Sequence, residues 1–147
     1  MGKMGMGKFP SKPPKNPRSL NIALQDQHIQ RKFPNFRLNK EDKKWVWVGH
    51  LQPTPESKKY IVKIEYCPYK PRVFVLSPKV LERAPHRYDD YSLCLYHPND
   101  KSFDGQTLIS DTIIPWTSEW LFFYEGWIKE GVWWGKEAPH SPQRGWE

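Results

Sequence analysis

WVWVGHLQPTPESKKYIVKIEYCPYKPRVFVL, residues 45–76, alternates in a way that only a β-sheet satisfies. Along WVWVGHL (45–51) the period is two: Trp45, Trp47 and Gly49 alternate with Val46, Val48 and His50. Alternation of this kind marks a strand with two unlike faces. QPTPESK holds two prolines and reads as a turn. YIVKIEYC (60–67) then sets Tyr60, Val62, Ile64 and Tyr66 on one face, and Ile61, Lys63, Glu65 and Cys67 on the other. RVFVL (72–76) is a third strand, reached through CPYKP. Strands joined by short turn-like links form an antiparallel meander. A further short strand is expected at YSLCLY (91–96), giving about four in all.

Helices flank this meander, so the fold class is α+β. Upstream, residues 19–33 read as a helix, with Ser19 as N-cap and Pro34 as its stop. Its apolar residues fall on two faces: Ile22, Ile29 and Phe33 on one, Leu20, Ala23 and Leu24 on the other. Downstream, a long helix starts near Thr112. Pro115 suits its first turn and Gly131 its C-cap. Ile113, Trp116, Trp120, Phe123, Tyr124, Trp127 and Ile128 make its apolar stripe. Phe122 points to the polar side and is expected to lie under the C-terminal segment. That segment, VWWGKEAPHSPQRGW, keeps Trp133, Trp134 and Trp146 and is expected to pack in part on the domain.

The chain has 147 residues, enough for one domain. Its net charge of +7 is unevenly placed. Residues 1–18 carry Lys3, Lys8, Lys12, Lys15 and Arg18 and no acid. This Pro/Gly/Lys stretch cannot bury enough apolar surface to fold, so residues 1–17 read as a solvated basic tail and 18–147 as the domain. The charge therefore belongs to the tail, and no nucleic-acid partner is expected. No run of 18 apolar residues occurs, so no membrane span is expected either. The start, MGKMGMGKFPSK, lacks an apolar secretory core. Two cysteines make no disulfide framework and point to a reducing, cytosolic setting.

Chemistry concentrates in APHRYDDYSLCLY (84–96). Cys94 lies between leucines, and Pro85-His86 precedes it in a turn. Such a turn can present a sulfur at a groove with polar groups beside it, as a nucleophile requires. His86 is the candidate partner; it could equally cap the loop ahead of the strand. Tyr88, Tyr91 and Tyr96 read as wall and packing residues. Cys94 and His97 have a zinc-like spacing, but positions i and i+3 of a strand face opposite ways, and no second ligand pair is close. No metal is expected. No glycine-rich phosphate loop occurs, so the chain has no visible ATP site and no cofactor is expected.

Helix, meander, irregular Pro-His segment, cysteine in a Leu-Cys-Leu run, then a long helix is the element order of a ubiquitin-conjugating (E2) domain. The chain resembles more closely the E2-like proteins of bacterial anti-phage operons of the cyclic-oligonucleotide-based (CBASS) type. The residues that carry the resemblance are WVGHLQPT (47–54), the Pro85-His86 to Tyr96 block, TIIPW with SEWL (112–121), and Tyr124-Glu125 through Trp133-Trp134-Gly135 to Pro139-His140. It covers residues 19–140.

The resemblance implies an E2/UBC-like fold. It implies that Cys94 carries a thioester with the C-terminus of a partner protein. That partner would be a CD-NTase-like oligonucleotide cyclase, and an E1-like activator could be needed upstream. Eukaryotic E2 domains place an asparagine ahead of the cysteine, in a His-Pro-Asn turn, to stabilise the oxyanion. Here Pro85-His86-Arg87 stands there without asparagine. His86 and backbone amides are the candidate donors. A literal His97-Pro98-Asn99 lies on the other side of Cys94. The alternative reading keeps the same fold without catalysis: Cys94 is structural and the groove only binds the partner's tail.

Overall fold

The computed structural model describes residues 21–67, 69–95, 103 and 106–135. The basic tail, Ser19, Tyr96, His97-Pro98-Asn99, His140 and Trp146 lie outside the described residues.

Helix α1 spans Ile22–Lys32. Its N-cap is Asn21 rather than the expected Ser19: the Asn21 side chain accepts the Leu24 amide at 2.8 Å. Asparagine caps as well as serine, and it stands next to the first helical residue. The helix stops at Phe33, before Pro34. Among its described residues the core face is the one that carries Ile29; on the other, Leu24 is half-buried. Ile29 is fully buried, with Ile22 and Phe33 beside it, while Ala23 is exposed. A polar residue completes that face. Buried Gln25 donates to the Thr107 carbonyl at 3.0 Å and accepts the Ile109 amide at 2.9 Å. Both ends of its amide are thereby satisfied, which makes burial tolerable.

Four strands follow: β1 (Arg37–Glu41), β2 (Lys44–Leu51), β3 (Tyr60–Glu65) and β4 (Arg72–Ser77). They form one antiparallel sheet in chain order. The three strands read from period two are present. β1 was not legible. RLNKE offers only Leu38 to the core, as suits an edge strand whose polar side chains discourage further pairing. It enters β2 through Asp42 and Lys43, both at positive φ (49° and 67°), the conformation of a tight two-residue hairpin turn.

Trp47, Gly49 and Leu51 of β2 face the core with Tyr60, Val62 and Ile64 of β3 and Val73 of β4. Gly49 is required for space. A Cβ there would come within 2.4 Å of the Phe36 ring, which is wholly buried.

The fourth strand is thus β1, and the strand expected at 91–96 is absent from the described part of that run. It has a single bridge, Arg87 with Leu93. On the side of Tyr91 pairing stops because the chain turns back at once: Tyr91 has φ 72° and its amide bonds to the Tyr88 carbonyl.

Helix α2 spans Ile113–Glu130 after a 3-10 turn at Ile109–Asp111. Thr112 is its N-cap residue, and Gly131 ends it at φ 78°. Its buried face is Ile113, Ile114, Thr117, Trp120, Leu121 and Tyr124. The expected stripe was therefore set too far round the helix. Thr117 and Leu121 hold the centre, Trp116 and Trp127 pack at the edge of the core, and Ile128 is half exposed. Thr117 fits there because its hydroxyl donates to the Ile113 carbonyl at 2.7 Å. Phe122 is half exposed rather than covered. Trp133 packs against the core, and Trp134 faces solvent. No helix among the described residues is long and apolar enough to cross a membrane.

Candidate active site

The segment that leaves β4 returns as a tight loop, residues 86–94, fastened on three sides. Within the loop, the Tyr88 amide donates to the Ser92 carbonyl and the Cys94 amide to the His86 carbonyl, both at 2.9 Å. These two bonds flank the Arg87–Leu93 bridge, so residues 86 and 94 stand opposite one another. The Asp90 carboxylate closes the tip. One oxygen accepts the Ser92 amide at 2.9 Å and the Ser92 hydroxyl at 2.6 Å. This is an Asx-type turn. Its other oxygen accepts from Arg72 of β4 at 3.0 Å. Burial alone would raise the Asp90 pKa. The Ser92 hydrogen bonds and the Arg72 guanidinium outweigh it, and the carboxyl is held below its ordinary value.

The sheet side is fixed by the Leu93 amide, which donates to the Val73 carbonyl at 2.8 Å. On the preceding loop, Arg87 donates to the carbonyls of Leu81 and Glu82 at 2.8 and 3.0 Å. Tyr91 donates its hydroxyl to Glu82 at 2.5 Å, and the Arg87 guanidinium lies over its ring. Tyr88 supports the Lys70 ammonium, 4.6 Å from its ring centroid. Tyr88 and Tyr91 are accordingly wall residues.

The helix side is fixed by Trp120. Its indole N–H donates to the His86 carbonyl at 3.0 Å, the same oxygen that accepts the Cys94 amide. His86 is 4% exposed and has φ 62°. A non-glycine residue in the left-handed region costs about 1–2 kcal/mol. Such strain persists where the surroundings over-determine the conformation. Its imidazole faces the Trp133 ring at a centroid distance of 4.6 Å.

The structure thus brings His86 and Cys94 together. It differs from expectation in their exposure. Cys94 was expected at an open groove, but it is 8% exposed. The Leu93 and Trp120 bonds draw both limbs of the loop inward. The half-buried thiol is Cys67, at the wall of a cleft of about 330 Å³ that also includes Lys70, Arg72, Tyr88 and Leu93. A second cleft of about 270 Å³, with Lys79, Arg87, Tyr91 and Leu93, lies across the loop. Leu93 lines both, so the loop forms the ridge between them.

Three residues of the site were missed in the sequence. Asp90 carried a signal, since an aspartate two residues before Ser92 favours an Asx turn. Trp120 was read only as a stripe residue. Nothing in the sequence ties Trp133 to a histidine 47 positions upstream. Among the described residues, no group of three or more His, Cys, Asp or Glu side chains could hold a metal ion.

No curated protein matches the chain. A family model described as Type II CBASS E2 protein matches residues 25–141, which takes in the whole sheet, the 86–94 loop and α2. With the α+β architecture and the His86–Cys94 loop in the matched region, the chain belongs to the type II CBASS E2 protein family, whose members are E2-like proteins of CBASS anti-phage defence.

Proposed function

We propose that the protein is an E2-like conjugating enzyme with a ubiquitin-conjugating-type fold, and that Cys94 is its acyl carrier. The thiolate of Cys94 attacks the activated C-terminal carbonyl of a partner protein, and the activating group leaves. An acceptor nucleophile then attacks the thioester carbonyl and the Cys94 thiolate departs. The sequence shows no nucleotide-binding loop, so the acyl group arrives already activated, from an E1-like protein or from a bond made in the partner. The partner proposed is a CD-NTase-like cyclase, whose C-terminal tail can reach the ridge between the two clefts. His86 is proposed as the donor to the oxyanion, in place of the asparagine of eukaryotic E2 domains.

One observation carries this reading: a buried histidine is kept in a left-handed backbone directly opposite the cysteine, and its carbonyl ties the Cys94 amide to the Trp120 indole. A turn needing only left-handed geometry would be served by glycine. The second reading is the non-catalytic interaction module, and the 8% exposure of Cys94 favours it.

Intact-mass spectrometry separates the two. The protein is mixed with its operon's cyclase and any required activator, before and after excess thiol. The carrier reading predicts a 1:1 adduct that thiol or hydroxylamine cleaves, and that is lost when the cyclase's last residues are removed. A Cys94→Ser variant should trap an oxyester that thiol does not cleave. Tight binding with no covalent species, even in that variant, establishes the interaction module.

A further inference from the structure

After α2, Gly131 reverses the chain, and residues 131–135 run back as a short strap. Its two tryptophans behave oppositely. Trp134 is 68% exposed and donates its indole N–H to Glu130 at 2.6 Å. Trp133 turns inward. Its ring meets His86 at 4.6 Å, Trp120 at 5.2 Å and Phe123 at 6.3 Å between centroids. Trp120 is itself stacked on Tyr124 at 5.4 Å. The strap lies tight on the helix at its far end. A Cβ on Gly135 would fall 2.5 Å from the Phe123 ring.

Trp133 thus touches both groups that define the loop opposite Cys94: the His86 ring, and the indole that holds the His86 carbonyl. A flat ring packed against an imidazole restricts its rotation. The residues around His86 also set its distance from whatever forms at Cys94.

We propose that Trp133 is a positioning residue for the Cys94 reaction, acting through His86 from the strap after α2. The proposal rests on the reading that Cys94 accepts an acyl group. In that step the Cys94 thiolate attacks a thioester carbonyl, a new C–S bond forms, and the donor's thiolate leaves. A misplacement of about 1 Å at such a step costs up to a hundredfold in rate.

The test uses a short peptide α-thioester of mercaptoethanesulfonate as acyl donor, with acylation followed by intact mass. Trp133→Ala should slow acylation by about ten- to a hundredfold, and His86→Ala by about 10²–10³-fold. The double variant should be no slower than His86→Ala, because both act through one group. Trp133→Phe, which keeps a flat ring, should restore most of the rate. Gly135→Ala, which lifts the strap without touching the core, should slow it in the same direction if Trp133→Ala fails to fold. Slowing that multiplies in the double variant overturns the proposal, as does a wild-type rate in Trp133→Ala. A second readout is independent of acylation: the imidazole ¹⁵N–¹H signals of His86 should move in Trp133→Ala and return in Trp133→Phe. Unmoved signals overturn the positioning role. Moved signals, in a protein whose Cys94 never acylates, support the positioning of His86 and locate the failure in the carrier reading instead.

Discussion

The tip between β1 and β2 and the loop before Cys94 use the same unfavourable backbone for different ends. Asp42 and Lys43 take φ 49° and 67°, and His86 takes 62°. The first two are exposed and link adjacent strands in a turn whose twist matches the sheet. Any residue that tolerates the conformation serves there, glycine best. His86 is 4% exposed, with its carbonyl shared by Cys94 and Trp120 and its ring against Trp133. Glycine would serve that backbone too, but it has no imidazole. Strain at the tip is geometry alone. On the proposed reading, strain at position 86 is tolerated for the sake of a side chain.

The largest expected effect follows from that distinction. His86→Gly and His86→Ala should both lower acylation of Cys94 by about 10²–10³-fold, the scale of losing one oxyanion donor. Their stabilities should nevertheless differ: His86→Gly should be more stable than His86→Ala by about 1 kcal/mol, because glycine relieves the left-handed conformation. Urea denaturation of the two variants beside the acylation assay checks both. Equal acylation in His86→Gly and the wild type would make position 86 a second plain turn and erase the contrast.

At the tip the same substitution should have a smaller effect. Lys43→Gly should stabilise the protein by up to about 1 kcal/mol in urea and leave acylation unchanged. A loss of stability there would mean that the Lys43 side chain supports the turn after all.

The smallest effect concerns acid. The Asp90 carboxyl is held below its ordinary value when folded. A lowered folded-state pKa gives stability that is present above the unfolded value, near 3.9, and is lost as pH falls through the folded value. Asp90→Asn should therefore flatten the acid limb of the stability curve below about pH 4, with a constant offset above about pH 5. Asp90 and Arg72 are both well exposed, so solvent screens the pair and the change should be slight. An unchanged acid limb would mean that Asp90 closes the loop without supplying pH dependence.

Periodicity made β2, β3, β4 and α2 legible, because Trp47, Val62, Ile64, Val73 and Trp120 are buried where the pattern places them. It failed where polar contacts replace packing. β1 offers a single apolar residue, and Gln25 enters the core by bonding two backbone groups. The Leu-Cys-Leu run looked like a strand because it is apolar. What shapes it is the Asp90 turn and a positive φ at Tyr91, which apolarity does not report. His86 is tied to Cys94 in the sequence by its place ahead of the Leu-Cys-Leu run. The burial of Cys94 follows from contacts with β4 and α2 that are remote in sequence.

Locating the acyl group decides whether Cys94 is the carrier. The protein is incubated with the peptide α-thioester, digested under mildly acidic conditions, and mapped by tandem mass spectrometry. One hydroxylamine-labile acyl group is expected on Cys94, absent in Cys94→Ala and retained in Cys67→Ala. Acylation on the more exposed Cys67 with Cys94 untouched, or an adduct that survives in Cys94→Ala, would contradict it.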